Sequence, residues 1–320
     1  MSLNDRDGLS WYARKAARAS EALPGVEPPS ERVAVLRGLL VRLRDAGIKG
    51  DFESMTLYTR RLPPGCRACL SGKGSNLYVT GLCTRDCFFC FNQKPRRDET
   101  VVHGIPIDDP SEAPAIVARY GLRSIGLSGG EPLLRPQRVL ALLAALKAMP
   151  DPPRVELYTN GDLAGADVLR RLHDAGLDAI RIDLAARDYN LDPVRRALRI
   201  LKEVAVEIPV VPEHKEQLER MVLELDSLRV PFLNIHELFL CVENNARVVA
   251  SGQVPLEVDS RHLLWRPTAA SGIAALELLL FALERTKTLS VYYCSCGTQE
   301  LIAARGLEHR RRRIVPRREL

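Results

Sequence analysis

Three cysteines, Cys83, Cys87 and Cys90, share one short stretch, Gly81-Leu82-Cys83-Thr84-Arg85-Asp86-Cys87-Phe88-Phe89-Cys90. The spacing C-x3-C-x2-C puts three thiolates on one compact loop, where they can wrap one corner of a cubane iron–sulfur cluster. Three ligands for four irons leave one iron open to a small molecule; a fourth cysteine would close it. Structural zinc is the competing chemistry for an isolated triplet. The chain has eight cysteines, and two further pairs, Cys66-x-x-Cys69 and Cys294-x-Cys296, leave only Cys241 alone. In a reducing compartment, clustered cysteines are metal ligands more often than disulfides. Neither pair completes a four-ligand site, but together they supply four thiolates, and chain ends often lie close in space. The four are therefore candidates for a second metal centre, an auxiliary [4Fe–4S] cluster first and zinc second, with a redox disulfide or bare thiols also open. Cys241 reads as a buried apolar cysteine.

These residues need a scaffold. From Asn76 onward, short β-branched or apolar runs alternate with helical stretches. The runs are Leu77–Thr80, Ser124–Leu127, Val155–Thr159, Ala179–Leu184, Val206–Val211 and Phe232–His236. Helices are expected over Ser111–Tyr120, Pro136–Met149, Ala164–Ala175, Pro193–Glu203 and Lys215–Leu228. Six such units predict an α/β fold with parallel strands, a partial (β/α)6 TIM-like barrel rather than a full eightfold one. Chemistry in such folds sits on loops at the carboxyl ends of strands. The cysteine loop follows the first strand, Gly129-Gly130-Glu131-Pro132 the second and Asn160-Gly161 the third. Paired glycines permit close backbone approach to a ligand. Glu131 can accept a charge-assisted bond from an ammonium group. His236-Glu237 ends the sixth strand and is expected to face the mouth as substrate binder or proton carrier, with Glu213 and His214 as weaker competitors.

With an aromatic, Phe89, directly before the third cysteine, the loop resembles the signature of the radical S-adenosylmethionine (SAM) superfamily, and Gly129-Gly130-Glu131-Pro132 resembles its second motif. The resemblance covers about residues 77–238. The pair Cys66/Cys69 before the loop resembles uncharacterised proteins related to pyruvate formate-lyase activating enzymes. The resemblance implies a partial barrel of radical SAM type holding a [4Fe–4S] cluster at Cys83, Cys87 and Cys90. It implies SAM contacts at Phe89, Gly129, Gly130, Glu131, Pro132, Asn160 and Asp183, the last within Arg181-Ile182-Asp183. It further implies an oxidoreductase that cleaves SAM reductively and takes hydrogen from a peptide, protein or small-metabolite substrate. An electron donor such as flavodoxin or ferredoxin is implied as a partner. Glycyl-radical activation of another protein is the alternative.

The expected organisation is an N-terminal helical extension over 1–70, a core over 71–240 and a C-terminal extension over 241–320. The first extension includes an amphipathic helix, Glu31–Ala46. The second includes a long helix near Ala269–Arg285, a short strand Leu289–Tyr293 and a final helix. A content of 46% hydrophobic and 27% charged residues fits a packed core. No apolar leader or membrane-length run appears, so a cytoplasmic protein is expected. The net charge of +6 is concentrated in the tail, HRRRRIVPRREL, which reads as a solvated charge cluster. A zinc-stabilised nucleic-acid-binding protein is the reading from a different class; nucleic acid is not an expected partner, because no motif for it is present.

Overall fold

The computed structural model describes residues 30–257 and 265–314. The first 29 residues of the expected N-terminal extension and the last six residues of the basic tail lie outside them. Helix α1 (Ser30–Asp45) leads to strands β1 (Lys49–Asp51) and β2 (Thr56–Tyr58) and a short helix, α2 (Pro64–Leu70). Strand β3 (Gly74–Thr80) enters the cysteine loop, and a hairpin of β4 (Thr100–Val102) and β5 (Ile105–Ile107) follows. Strict alternation then begins: α3 (Ala113–Tyr120), β6 (Ser124–Gly129), α4 (Pro136–Lys147), β7 (Arg154–Thr159), α5 (Ala166–Asp174), β8 (Ala179–Ile182) and α6 (Asp192–Leu198). It continues through β9 (Val204–Val210), α7 (Lys215–Ser227) and β10 (Phe232–Glu237). A small flap of β11 (Phe239–Leu240), α8 (Asn245–Ala250) and β12 (Arg266–Pro267) precedes α9 (Ser271–Arg285), β13 (Ser290–Cys294) and α10 (Cys296–Ile314).

One sheet runs in the order β1-β2-β13-β10-β9-β8-β7-β6-β3-β4-β5. Strands β3, β6, β7, β8, β9 and β10 are parallel neighbours, as the six runs predict. Strand β13 adds a seventh, pairing parallel with β10 from Phe232↔Ser290 to His236↔Cys294. Strand β2 then pairs antiparallel with β13. The sheet ends at β1 and β5, so the barrel is open.

Side chains alternate across each strand. One set, including Leu127, Leu157, Ile180, Val206, Ile235 and Val291, is fully buried in the main apolar core with helix residues such as Leu142, Leu143, Val222 and Leu279. The other set lines the concave face, which is polar. Helix α2 lies against that face: Cys66 Sγ meets Arg181 of β8 and Asn234 of β10, and Gly65 abuts Glu156 of β7. Helix α10 crosses the open side. Its first turn adjoins β2, where Thr298 and Thr56 hydroxyls stand 3.0 Å apart. Farther along, Arg305 donates to the Leu70 carbonyl at 2.7 Å and His309 meets the Tyr120 carbonyl at 2.8 Å. Among the described residues, no helix is long and apolar enough to cross a membrane.

The turn into β13 is fixed by Asp226 at the end of α7. Its carboxylate accepts the backbone N–H groups of Lys287, Thr288 and Leu289 at 2.7–3.0 Å, plus the Thr288 hydroxyl at 2.9 Å. Burial alone would raise this carboxyl's pKa, but those bonds outweigh it and hold it at about 2. A depressed folded-state pKa gives stability that is present above the unfolded value and lost as pH falls through the folded one. Asp226→Asn is therefore expected to cost about 1–2 kcal/mol at pH 7, after allowance for its solvent contact. In urea titrations at a series of pH values the difference from wild type should shrink between about pH 4 and pH 2. A difference independent of pH would refute the assignment.

Candidate functional site

The carboxyl ends of β3, β6 and β7 converge. Cys83, Cys87 and Cys90 occupy the loop after β3, and all three are half-buried. Burial pushes the Cys87 thiol up to about 12, with Asp183 and the other two cysteines adding to the effect. Burial likewise raises Cys83, and Cys90 contributes. Three thiols on one half-buried loop form a donor set suited to a cationic group. The Arg85 backbone N–H points at Cys83 Sγ at 3.4 Å and the Asn160 amide at 3.8 Å, contacts of the kind that moderate charge on a ligating sulfur. Phe89 packs edge-on against Phe88, with centroids 5.4 Å apart.

The paired glycines are explained first by backbone proximity. Gly129 has φ +124°, and a Cβ there would stand 2.2 Å from the Thr80 carbonyl oxygen; at Gly130 it would be 2.0 Å from that of Leu82. The end of β6 can approach the cysteine loop this closely only without side chains. Gly130 N–H then donates to Thr80 O at 2.8 Å and Glu131 N–H to Leu82 O at 2.7 Å. Glu131 is fully buried, and its carboxylate faces protein donors rather than the mouth. It accepts from Leu133 N–H (3.0 Å), the Thr159 hydroxyl (2.8 and 2.9 Å) and Asn160 N–H (2.9 Å). Burial raises its pKa, and these bonds oppose the rise. Pro132 opens the short turn that follows.

Asn160 ties β7 to the cysteine loop through a 2.8 Å bond from its amide to the Thr84 hydroxyl. Asp183, past the end of β8, accepts from Ala185 N–H at 3.0 Å and Ala186 N–H at 3.3 Å. Burial pushes its carboxyl up to about 7 against those bonds. His236 and Glu237 part company. His236 lies on the concave face, its Nε2 3.0 Å from Glu207 and its Nδ1 3.1 Å from the Gln299 amide. Glu237, the next residue, turns to the opposite face. There it accepts the Cys296 N–H at 3.0 Å and lies beside Gly272 of α9. Its expected direction toward the mouth is corrected: strand alternation sends only one of two neighbours inward. Glu213 bonds Gln253 at 2.6 Å, and His214 meets the Tyr189 hydroxyl at 2.9 Å. Cys241 is buried.

Several residues that brace the loop carried no sequence signal beyond their nearness to the motifs. Arg85, inside the cysteine triplet, makes a two-pronged pair with Asp162 at 2.7 and 2.8 Å, and Asp162 also takes the Thr84 hydroxyl at 3.0 Å. From the flap, Asn244 donates to the Phe89 carbonyl at 3.0 Å and Arg247 to the Cys87 carbonyl at 2.5 Å. Asp162→Ala should release one side of the loop. The expected result is about 10–100-fold weaker iron retention against a chelator, with the fold kept by circular dichroism. Unchanged retention would make the Arg85–Asp162 pair incidental.

An open parallel βα barrel with a three-cysteine loop on its first core strand defines the class. Residues 77–225 match the model of the radical SAM superfamily, which supports assigning the chain to that superfamily. A Methanocaldococcus jannaschii protein assigned as a glycyl-radical enzyme activating enzyme is 26% identical over 258 residues, spanning 77% of this chain and 66% of that protein. A GTP 3′,8-cyclase of Trichormus variabilis is 29% identical over 168 residues, spanning 45% of this chain and 50% of the cyclase. The solved structure of the FeFe-hydrogenase maturase HydG from Carboxydothermus hydrogenoformans has 10% identity and a TM-score of 0.45, over 92% of this chain and 77% of that one. The chain thus spans two thirds or less of the length of these two sequence relatives. Members of the superfamily are enzymes.

Proposed function

We propose that the chain is a radical SAM enzyme that holds a [4Fe–4S] cluster on Cys83, Cys87 and Cys90 and acts on a peptide, protein or small-metabolite substrate. The observation that carries this reading is the stitching of three strand ends around the cysteine loop by Glu131, Asn160 and the two glycines. When bound, the cluster and SAM supply a one-electron cleavage of the sulfonium and a carbon radical that takes hydrogen from substrate. The protein's own work is to fix the geometry and keep water out. Asn160 and Asp183 offer polar groups at the mouth, Phe89 offers an aromatic face to adenine, and Gly129 and Gly130 offer backbone rather than side chains. Glu131 acts through the loops it joins. His236 is the candidate for substrate contact. A flavodoxin- or ferredoxin-like donor would deliver the electron.

The remaining cysteines Cys66, Cys69, Cys294 and Cys296 supply thiols for a second cluster, or for zinc. Glycyl-radical activation of a partner protein is the alternative activity, favoured by the first relative's assignment.

The test is anaerobic reconstitution with ferrous iron and sulfide, followed by SAM and dithionite. Brown protein that releases 5′-deoxyadenosine supports the reading; colourless protein with no cleavage sinks it. A glycyl-radical signal on a co-incubated protein would select the alternative.

A further inference from the structure

We propose that Cys66, Cys69 and Cys294 form a second metal centre on the concave face of the barrel, with Arg181 and Asn234 as positioning residues that set the charge on the Cys66 sulfur. This rests on the iron–sulfur reading above but narrows its ligand set, because Cys296 falls outside it.

The three thiols come from opposite ends of the chain: Cys66 and Cys69 lie on α2, which packs against the sheet, and Cys294 ends β13. Cys66 and Cys294 are 8% and 6% exposed and pack together against Tyr292. Cys69 Sγ is pressed to the start of β3, where a Cβ on Gly74 would stand 2.5 Å from it. Two N–H donors aim at Cys66 Sγ: the Asn234 amide at 3.2 Å and the Arg181 guanidinium at 3.5 Å. Both donors are 2% exposed. Arg181 also pairs with Glu156 at 2.5 Å and Glu207 at 3.0 Å, which offsets the cost of burying its charge. The Asn234 amide also reaches Glu207 at 3.0 Å, so both donors have carboxylate partners; a metal-bound thiolate would accept from both more strongly than a neutral thiol does.

Among the described residues, no three His, Cys, Asp or Glu side chains are grouped to hold a single ion. That is equally true of Cys83, Cys87 and Cys90. Cys296 begins α10 instead, with its N–H on Glu237 and its thiol beside Glu237 and Cys294.

The experiment uses the full chain carrying Cys83→Ala, Cys87→Ala and Cys90→Ala, reconstituted anaerobically with ferrous iron and sulfide. About four irons per chain should remain. Adding Cys66→Ser should remove them, and adding Cys296→Ser should not. In the same background Asn234→Val and, separately, Arg181→Lys should lower the midpoint potential at unchanged iron content, since a sulfur with fewer N–H donors holds more charge. Iron absent from the triple variant, while wild type still binds iron and cleaves SAM, would remove the second centre and leave the proposed function standing. Equal iron loss with Cys296→Ser would overturn the ligand set. Potentials unmoved in both variants would overturn the role of Arg181 and Asn234. Wild type without iron or cleavage would remove the parent reading as well.

Discussion

Cys87→Ala alone should reduce 5′-deoxyadenosine formation by about 10³-fold or more, equivalent to about 4 kcal/mol of barrier. Cys87 is the middle cysteine of the loop, and its carbonyl is held by Arg247 from the flap. The remaining two thiols cannot wrap a cubane corner. The assay is product release under dithionite, read beside circular dichroism. The fold should persist, because the main apolar core does not include the loop cysteines. A folded Cys87→Ala protein that still cleaves SAM at the wild-type rate would refute the assignment of this loop.

Glu131→Ala should be the most damaging change at a position outside the cysteines. The variant strands the Thr159 hydroxyl and the N–H groups of Leu133 and Asn160 in a buried site. The expected loss is about 3 kcal/mol of stability, seen as a lower urea midpoint with unchanged slope. SAM cleavage should fall as well, since Thr159 and Asn160 lose the acceptor that ties the end of β7 to the turn after β6. Glu131→Gln keeps an acceptor oxygen and should recover part of both. Equal behaviour of the two variants would mean that the carboxylate's bonds contribute little.

The barrel strands and both glycine and cysteine motifs were legible because each is a local pattern. Period and spacing are written in consecutive residues. What was not legible depends on partners far along the chain. Leu289–Tyr293 read as a stray strand, and nothing nearby indicates that it inserts between β10 and β2. The stretch Leu62-Pro63-Pro64-Gly65 is rich in turn-forming residues, yet Pro64 opens α2 because proline suits a first helical position. Asp183 read as a SAM contact within Arg181-Ile182-Asp183. The sheet places Arg181 against Glu156, Glu207 and Cys66, while Asp183 lies beyond the strand end. Glu131 read as an ammonium acceptor, a role its full set of protein donors leaves little room for.

The position of β13 also bears on how the chain is made. Thr56 and Thr298, whose hydroxyls meet, are 242 residues apart. During vectorial synthesis β2 has no parallel sheet to join until β13 has left the ribosome. Until then β10 presents a bare edge and the concave face lacks its cover, α10. Such an edge is a template for pairing with other chains. A nascent chain paused before β13 should therefore self-associate.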